Sequence, residues 1–81
     1  MIYLDHAATT PVPPAVADAV RDALANQFGN PSSQYPLGRE AKALVDRCRA
    51  TVANALGCEA RQLVFTSCGT ESDNWALRLA V

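Results

Sequence analysis

The sequence predicts an α/β protein, and three observations carry that expectation. Two long stretches have apolar residues at helical spacing, a short β-rich run lies at Gln62 to Thr66, and a glycine-containing turn leads from that run into a third helical stretch. The predicted order is an extended arm, two helices, one strand and the start of a third helix. A short apolar strand of this kind is usually covered on both faces in an α/β sheet, and no second strand is legible to pair with it. The 81 residues therefore read as a truncated piece of one domain, spanning 1–81.

Residues 1–12 read as an extended or irregular arm, because Ile2 and Leu4 alternate with polar neighbours and Pro11 and Pro13 remove backbone donors. Pro13 and Pro14 suit a first helical turn. Val16, Val20 and Leu24 then recur every fourth residue, which predicts an amphipathic helix over about 13–27 with Gly29 as its stop. Asn30-Pro31-Ser32-Ser33 is loop chemistry. Leu37, Ala41, Leu44, Val45, Cys48, Val52, Ala55 and Leu56 share one face of a longer helix ending at Gly57, and Arg39, Glu40, Lys42, Asp46, Arg47 and Arg49 fall mostly off it. Cys58 to Arg61 form a polar connection, and a third helix begins near residue 70.

The composition, 49% hydrophobic and 19% charged, is that of a globular protein. A net charge of −1 with dispersed basic residues gives no footprint for nucleic acid or a membrane surface. No stretch approaches the roughly 20 apolar residues of a membrane span, and the first residues lack the pattern of a signal peptide, so a cytoplasmic location is expected. Cys48, Cys58 and Cys68 are an odd set without a Cys-x-x-Cys, and there is one histidine. Neither a zinc site nor a disulfide framework is indicated.

The most specific local signal is Phe65-Thr66-Ser67-Cys68-Gly69-Thr70-Glu71-Ser72-Asp73-Asn74. A glycine allows close backbone approach, the first helical N–H groups lack intrahelical partners, and the helix dipole adds about half a positive charge there. Such an arrangement binds phosphate. The same residues also suit a plain helix cap, with Glu71 and Asp73 favouring the first turn.

Together with Tyr3-Leu4-Asp5-His6-Ala7-Ala8-Thr9-Thr10-Pro11 and Phe28-Gly29-Asn30-Pro31-Ser32-Ser33, this segment resembles the N-terminal part of the cysteine desulfurases, pyridoxal-phosphate enzymes of the class V aminotransferase family and fold type I. The resemblance covers essentially the whole chain. It implies pyridoxal 5′-phosphate as cofactor, with Gly69 and Thr70 at the positions that hold its phosphate. It also implies L-cysteine as substrate, L-alanine and an enzyme persulfide as products, a homodimer, and a sulfur-acceptor scaffold protein serving iron–sulfur cluster or thio-cofactor assembly. The family's Schiff-base lysine, ring-stacking histidine and persulfide-forming cysteine lie beyond residue 81, so no catalytic residue is expected here and the chain alone is expected to be inactive.

Several residues invite a role and are weighed against it. Lys42, the one lysine, sits among other charges on a polar helix sector and lacks the setting that depresses an amine pKa. His6 is not required by the family's arm, whose Ala7-Ala8-Thr9 resembles a substrate-pocket lining or a structural anchor. Cys68 stands where the family often has glycine, and reads as small-residue packing or as a thiol acidified by the helix start. Cys48 is expected in the core. Tyr35 stands where the family commonly has histidine and cannot serve as a base near neutral pH. Two other readings stay open: another class V enzyme, either a transaminase or a selenocysteine lyase, and a non-catalytic short protein that binds a partner through exposed helix faces.

Overall fold

Two prolines, an Asx turn and a left-handed glycine punctuate the chain into helices. The computed structural model describes residues 1–80, with α1 at Pro14–Asn26, α2 at Pro36–Leu56, a 3-10 turn at Ala60–Gln62 and α3 at Gly69–Ala80. The chain divides into two units, Met1–Val45 and from Asp46 on, with α2 contributing to each.

In the first unit the arm is irregular, as expected. Its turn is closed by the N–H groups of Ala8 and Thr9 on the Asp5 carbonyl, at 3.0 and 3.4 Å, and by Thr10 Oγ1 donating to the His6 carbonyl at 3.1 Å. Pro13 is extended (φ −56°, ψ 143°) and Pro14 opens α1, where its missing N–H costs no helical bond. The helix ends at Asn26, not at a left-handed glycine. Gly29 serves close packing instead, since a Cβ there would lie 2.3 Å from the Leu37 carbonyl oxygen. Asn30 Oδ1 accepts from the Ser32 N–H and its carbonyl from the Ser33 N–H, each at 2.9 Å, which turns the chain tightly into α2. Gly38 is buried against that turn.

In the second unit α2 stops at Gly57, whose φ of 74° is the left-handed conformation a glycine adopts without steric cost. The bonds Gly57 N–H to Asn54 carbonyl (3.2 Å) and Cys58 N–H to Ala53 carbonyl (3.0 Å) complete a Schellman-type end. The 3-10 turn that follows was not foreseen. It is held by a reciprocal capping box, in which the Glu59 side chain accepts from the Gln62 N–H and Gln62 Oε1 accepts from the Glu59 N–H at 2.9 Å.

The α/β expectation fails at this point. No β-strand occurs among the described residues, and every regular element is helical. Gln62 is drawn into the capping box, while Leu63 is extended (φ −105°, ψ 130°) without a ladder. Extended backbone becomes a strand only by pairing with a second extended segment. Here the Leu63 carbonyl accepts instead from Arg49 Nη1 at 2.7 Å.

Burial is slight. Among the described residues the buried apolar side chains are Ala41 in the first unit and Ala53 in the second. Leu37, Leu44 and Val45 are half-buried, whereas Cys48 and Val52 are exposed, which corrects the placing of Cys48 in a core. Val16, Val20 and Leu24 of α1 present an open apolar face, and so do Val64, Trp75 and Leu79 in the second unit.

Candidate functional site

The site is the turn from Thr66 to Ser72, and its shape follows from one carbonyl. The Cys68 carbonyl accepts the Ser72 N–H at 3.2 Å, and the Ser72 and Thr66 hydroxyls stand 3.3 Å and 3.2 Å from it. The two hydroxyls also meet each other at 2.6 Å. Since each hydroxyl carries one proton, one of the two donates to the other while the second donates to the carbonyl, and the turn is a locally knit unit. Glu71 reinforces it from the other side, because its Oε2 accepts from the Ser67 hydroxyl and, at 3.4 Å, from the Ser67 N–H. A carboxylate in the first turn of α3 also complements the helix dipole. Asn74 Nδ2 donates to the Thr70 carbonyl at 2.8 Å and so fixes the next turn.

What remains pointing out of the helix start is a set of donors. Their effect is visible on Cys68, whose exposed thiol is held below its ordinary pKa. The largest cause is the Glu71 N–H, followed by the Ser67 hydroxyl. Partial desolvation opposes these, and the N–H and hydroxyl of Thr70 add further lowering. The helix start therefore stabilises negative charge placed before it, as unpaired N–H groups and the dipole require.

Of the sequence-predicted site residues, Gly69 and Thr70 are together at this helix start. A Cβ on Gly69 would meet no atom within 4 Å, so the space over its Cα is open to an approaching group. Backbone donors, a hydroxyl and clear approach are the set a phosphate ester needs, and the residues present fit the phosphate end of pyridoxal phosphate. Cys68 reads as a cap-like acidified thiol, not as packing, since it is exposed and its sulfur receives helix-start donors.

Other candidates lie elsewhere. Lys42 is an exposed residue of α2, and His6 is exposed in the arm with its ring edge-on to Tyr3 at 5.0 Å. The Asn30 loop is a tight helix connection, and Tyr35 is exposed beside it. No group of three or more potential metal ligands exists among the described residues. No described helix is long and apolar enough to cross a membrane.

Two features escaped the sequence reading. The Thr66–Ser72 hydroxyl pair had no signal in the spacing, because it depends on side-chain torsions. Arg49 had none, since its periodicity placed it with the solvated charges. It is half-buried, bonds the Leu63 carbonyl and lies 4.9 Å over the Phe65 ring.

Comparison with known proteins agrees with the sequence motifs. The family described as aminotransferase class-V matches residues 2–80. A cysteine desulfurase IscS of Methanosarcina thermophila is 46% identical over 77 residues, covering 95% of this chain and 19% of that protein. A cysteine desulfurase of Trichormus azollae is 46% identical over 81 residues, covering all of this chain and 20% of its own. A selenocysteine lyase of Bos taurus is 41% identical over 80 residues, covering 99% and 18%. The chain thus spans about a fifth of the length of the curated relatives it matches. No solved structure matched it.

Proposed function

Since the chain belongs to the class-V aminotransferase family, whose members use pyridoxal 5′-phosphate, we propose that it is the N-terminal part of a cysteine desulfurase and supplies the cofactor's phosphate site. The observation that carries the reading is the start of α3. The space over the Gly69 Cα is open, and donors of the same helix start, the Glu71 N–H foremost and the Thr70 N–H and hydroxyl after it, already acidify the neighbouring Cys68 thiol. In this role the Gly69 and Thr70 backbone N–H groups and Thr70 Oγ1 would donate to phosphate oxygens, a charge-assisted arrangement stronger than a neutral one. The Thr66–Ser72–Cys68 cluster holds the turn in shape while they do so. Glu71, tied to Ser67, is drawn back along the helix start.

When bound, the cofactor acts as an electron sink for an amino-acid substrate. The proposed net reaction moves the sulfur of L-cysteine to a cysteine thiolate supplied by a later part of the protein, giving L-alanine and an enzyme persulfide. None of the residues described here is placed at that chemistry. Arm residues Ala7, Ala8 and Thr9 are proposed to line the substrate pocket. A homodimer, a scaffold protein as sulfur acceptor, and a cytoplasmic location belong to the same proposal.

The 41% identity to a selenocysteine lyase favours one second reading, in which selenium replaces sulfur. The test is the intact protein assayed with L-cysteine and with L-selenocysteine. Alanine formed with persulfide from L-cysteine supports the desulfurase. Alanine from L-selenocysteine alone supports the second reading, and no product from either contradicts both. The 81 residues alone are expected to release no sulfide from L-cysteine above free cofactor, and borohydride reduction is expected to leave Lys42 unlabelled.

A further inference from the structure

We propose that Arg49 is a positioning residue for the anion-binding turn, fixing the extended segment Leu63 to Phe65 and thereby where the start of α3 stands. The inference rests on the reading of Gly69 and Thr70 as the phosphate site. Leu63 to Thr66 has no ladder partner among the described residues, and Val64 and Phe65 are about half exposed, at 54% and 48%. Yet this segment runs directly into Ser67 and the turn.

Arg49 holds it at two points. Nη1 donates to the Leu63 carbonyl at 2.7 Å, a contact spanning fourteen residues between α2 and the segment, and the guanidinium carbon stands 4.9 Å over the Phe65 ring. One planar cation thus grips a carbonyl and an aromatic face two residues apart, which a lysine ammonium cannot do with both contacts at once. The turn itself is tied internally through the Cys68 carbonyl, so loss of Arg49 leaves its donors arranged and moves them as a body relative to α2. A ligand touching only part of the site is then unaffected. A ligand that must reach from the turn to the rest of the enzyme is weakened.

The experiment measures dissociation constants of pyridoxal 5′-phosphate and of pyridoxal, which lacks the phosphate, for the intact apoprotein by equilibrium dialysis. Arg49→Met is expected to bind the phosphate ester about tenfold more weakly, with pyridoxal affinity unchanged. Arg49→Lys, which can restore the carbonyl contact alone, is expected to recover about a third of the loss or more. A lowered melting temperature with the affinity ratio of the two ligands unchanged overturns the proposal, because a purely structural role would give that result. Should Arg49→Met not fold, Phe65→Leu decides: a phosphate-ester affinity lower by about threefold supports the proposal, and an unchanged one overturns it. If the unsubstituted protein itself shows no preference for the phosphate ester, the phosphate-site reading falls and takes this inference with it. A normal preference that survives Arg49→Met removes the role of Arg49 alone.

Discussion

Gly38 and Gly69 both stand in the first turn of a helix, yet a Cβ on Gly38 would lie 2.3 Å from the Ser33 carbonyl oxygen and one on Gly69 would meet nothing within 4 Å. The first is required by packing, because the Asn30 turn folds back onto α2 and leaves no room for a side chain. The second has no packing reason. Around Gly38 the polar groups are turned inward on Asn30, whereas around Gly69 the space over the Cα is open and the donors of the helix start reach the exposed Cys68 sulfur. One glycine turn serves to close the chain on itself, and the other leaves a helix terminus available to a ligand.

The contrast can be broken most forcefully at Gly38. Gly38→Ala is expected to destabilise the intact protein by about 2–3 kcal/mol, because backbone must move to admit the methyl group, with cofactor affinity of the folded fraction unchanged. Denaturant unfolding with a parallel cofactor titration checks both halves. Gly69→Ala should do the reverse. Its stability is expected to stay within about 0.5 kcal/mol of the parent, while phosphate-ester affinity drops as the methyl group fills the approach. A destabilisation equal to that at Gly38 would remove the distinction.

A smaller effect is expected at Cys68. Its thiol should be alkylated with a pH midpoint below that of a free cysteine, since the helix-start donors favour the thiolate. Ser67→Ala removes one lowering contact and should move that midpoint upward. Bound phosphate ester competes for the same donors and adds negative charge, so it should slow the alkylation at a fixed pH near the midpoint. An alkylation rate indifferent to the ester would place the anion elsewhere.

The helices were legible because their evidence is local. Val16, Val20 and Leu24 mark α1, and Leu37 to Leu56 mark α2, each within about a residue of where the helix lies. The strand was misread because Leu63-Val64-Phe65 has β composition, and composition cannot supply a partner. The capping box at Glu59 and Gln62 and the Arg49 contact engage the Gln62 N–H and the Leu63 carbonyl instead. Cys48 was misplaced for a related reason: periodicity assigns a face to a helix but does not say that anything covers it. The start of α3 at Gly69 and Thr70 was legible because a glycine-containing turn followed by a hydroxyl residue marks a helix terminus. The inward knitting of Thr66, Ser72 and the Cys68 carbonyl was not, since it depends on side-chain torsions that no spacing rule fixes.

The central claim is that Gly69 and Thr70 hold the cofactor's phosphate, and Thr70→Val addresses it while keeping the side chain's shape. The dissociation constant for pyridoxal 5′-phosphate should rise by an amount equivalent to about 1.5–3 kcal/mol in the intact protein, the loss of one hydroxyl bond to a charged group. Pyridoxal affinity should be unchanged, and His6→Ala should have a smaller effect. Equal affinity of Thr70→Val and the unsubstituted protein for the phosphate ester would contradict the account.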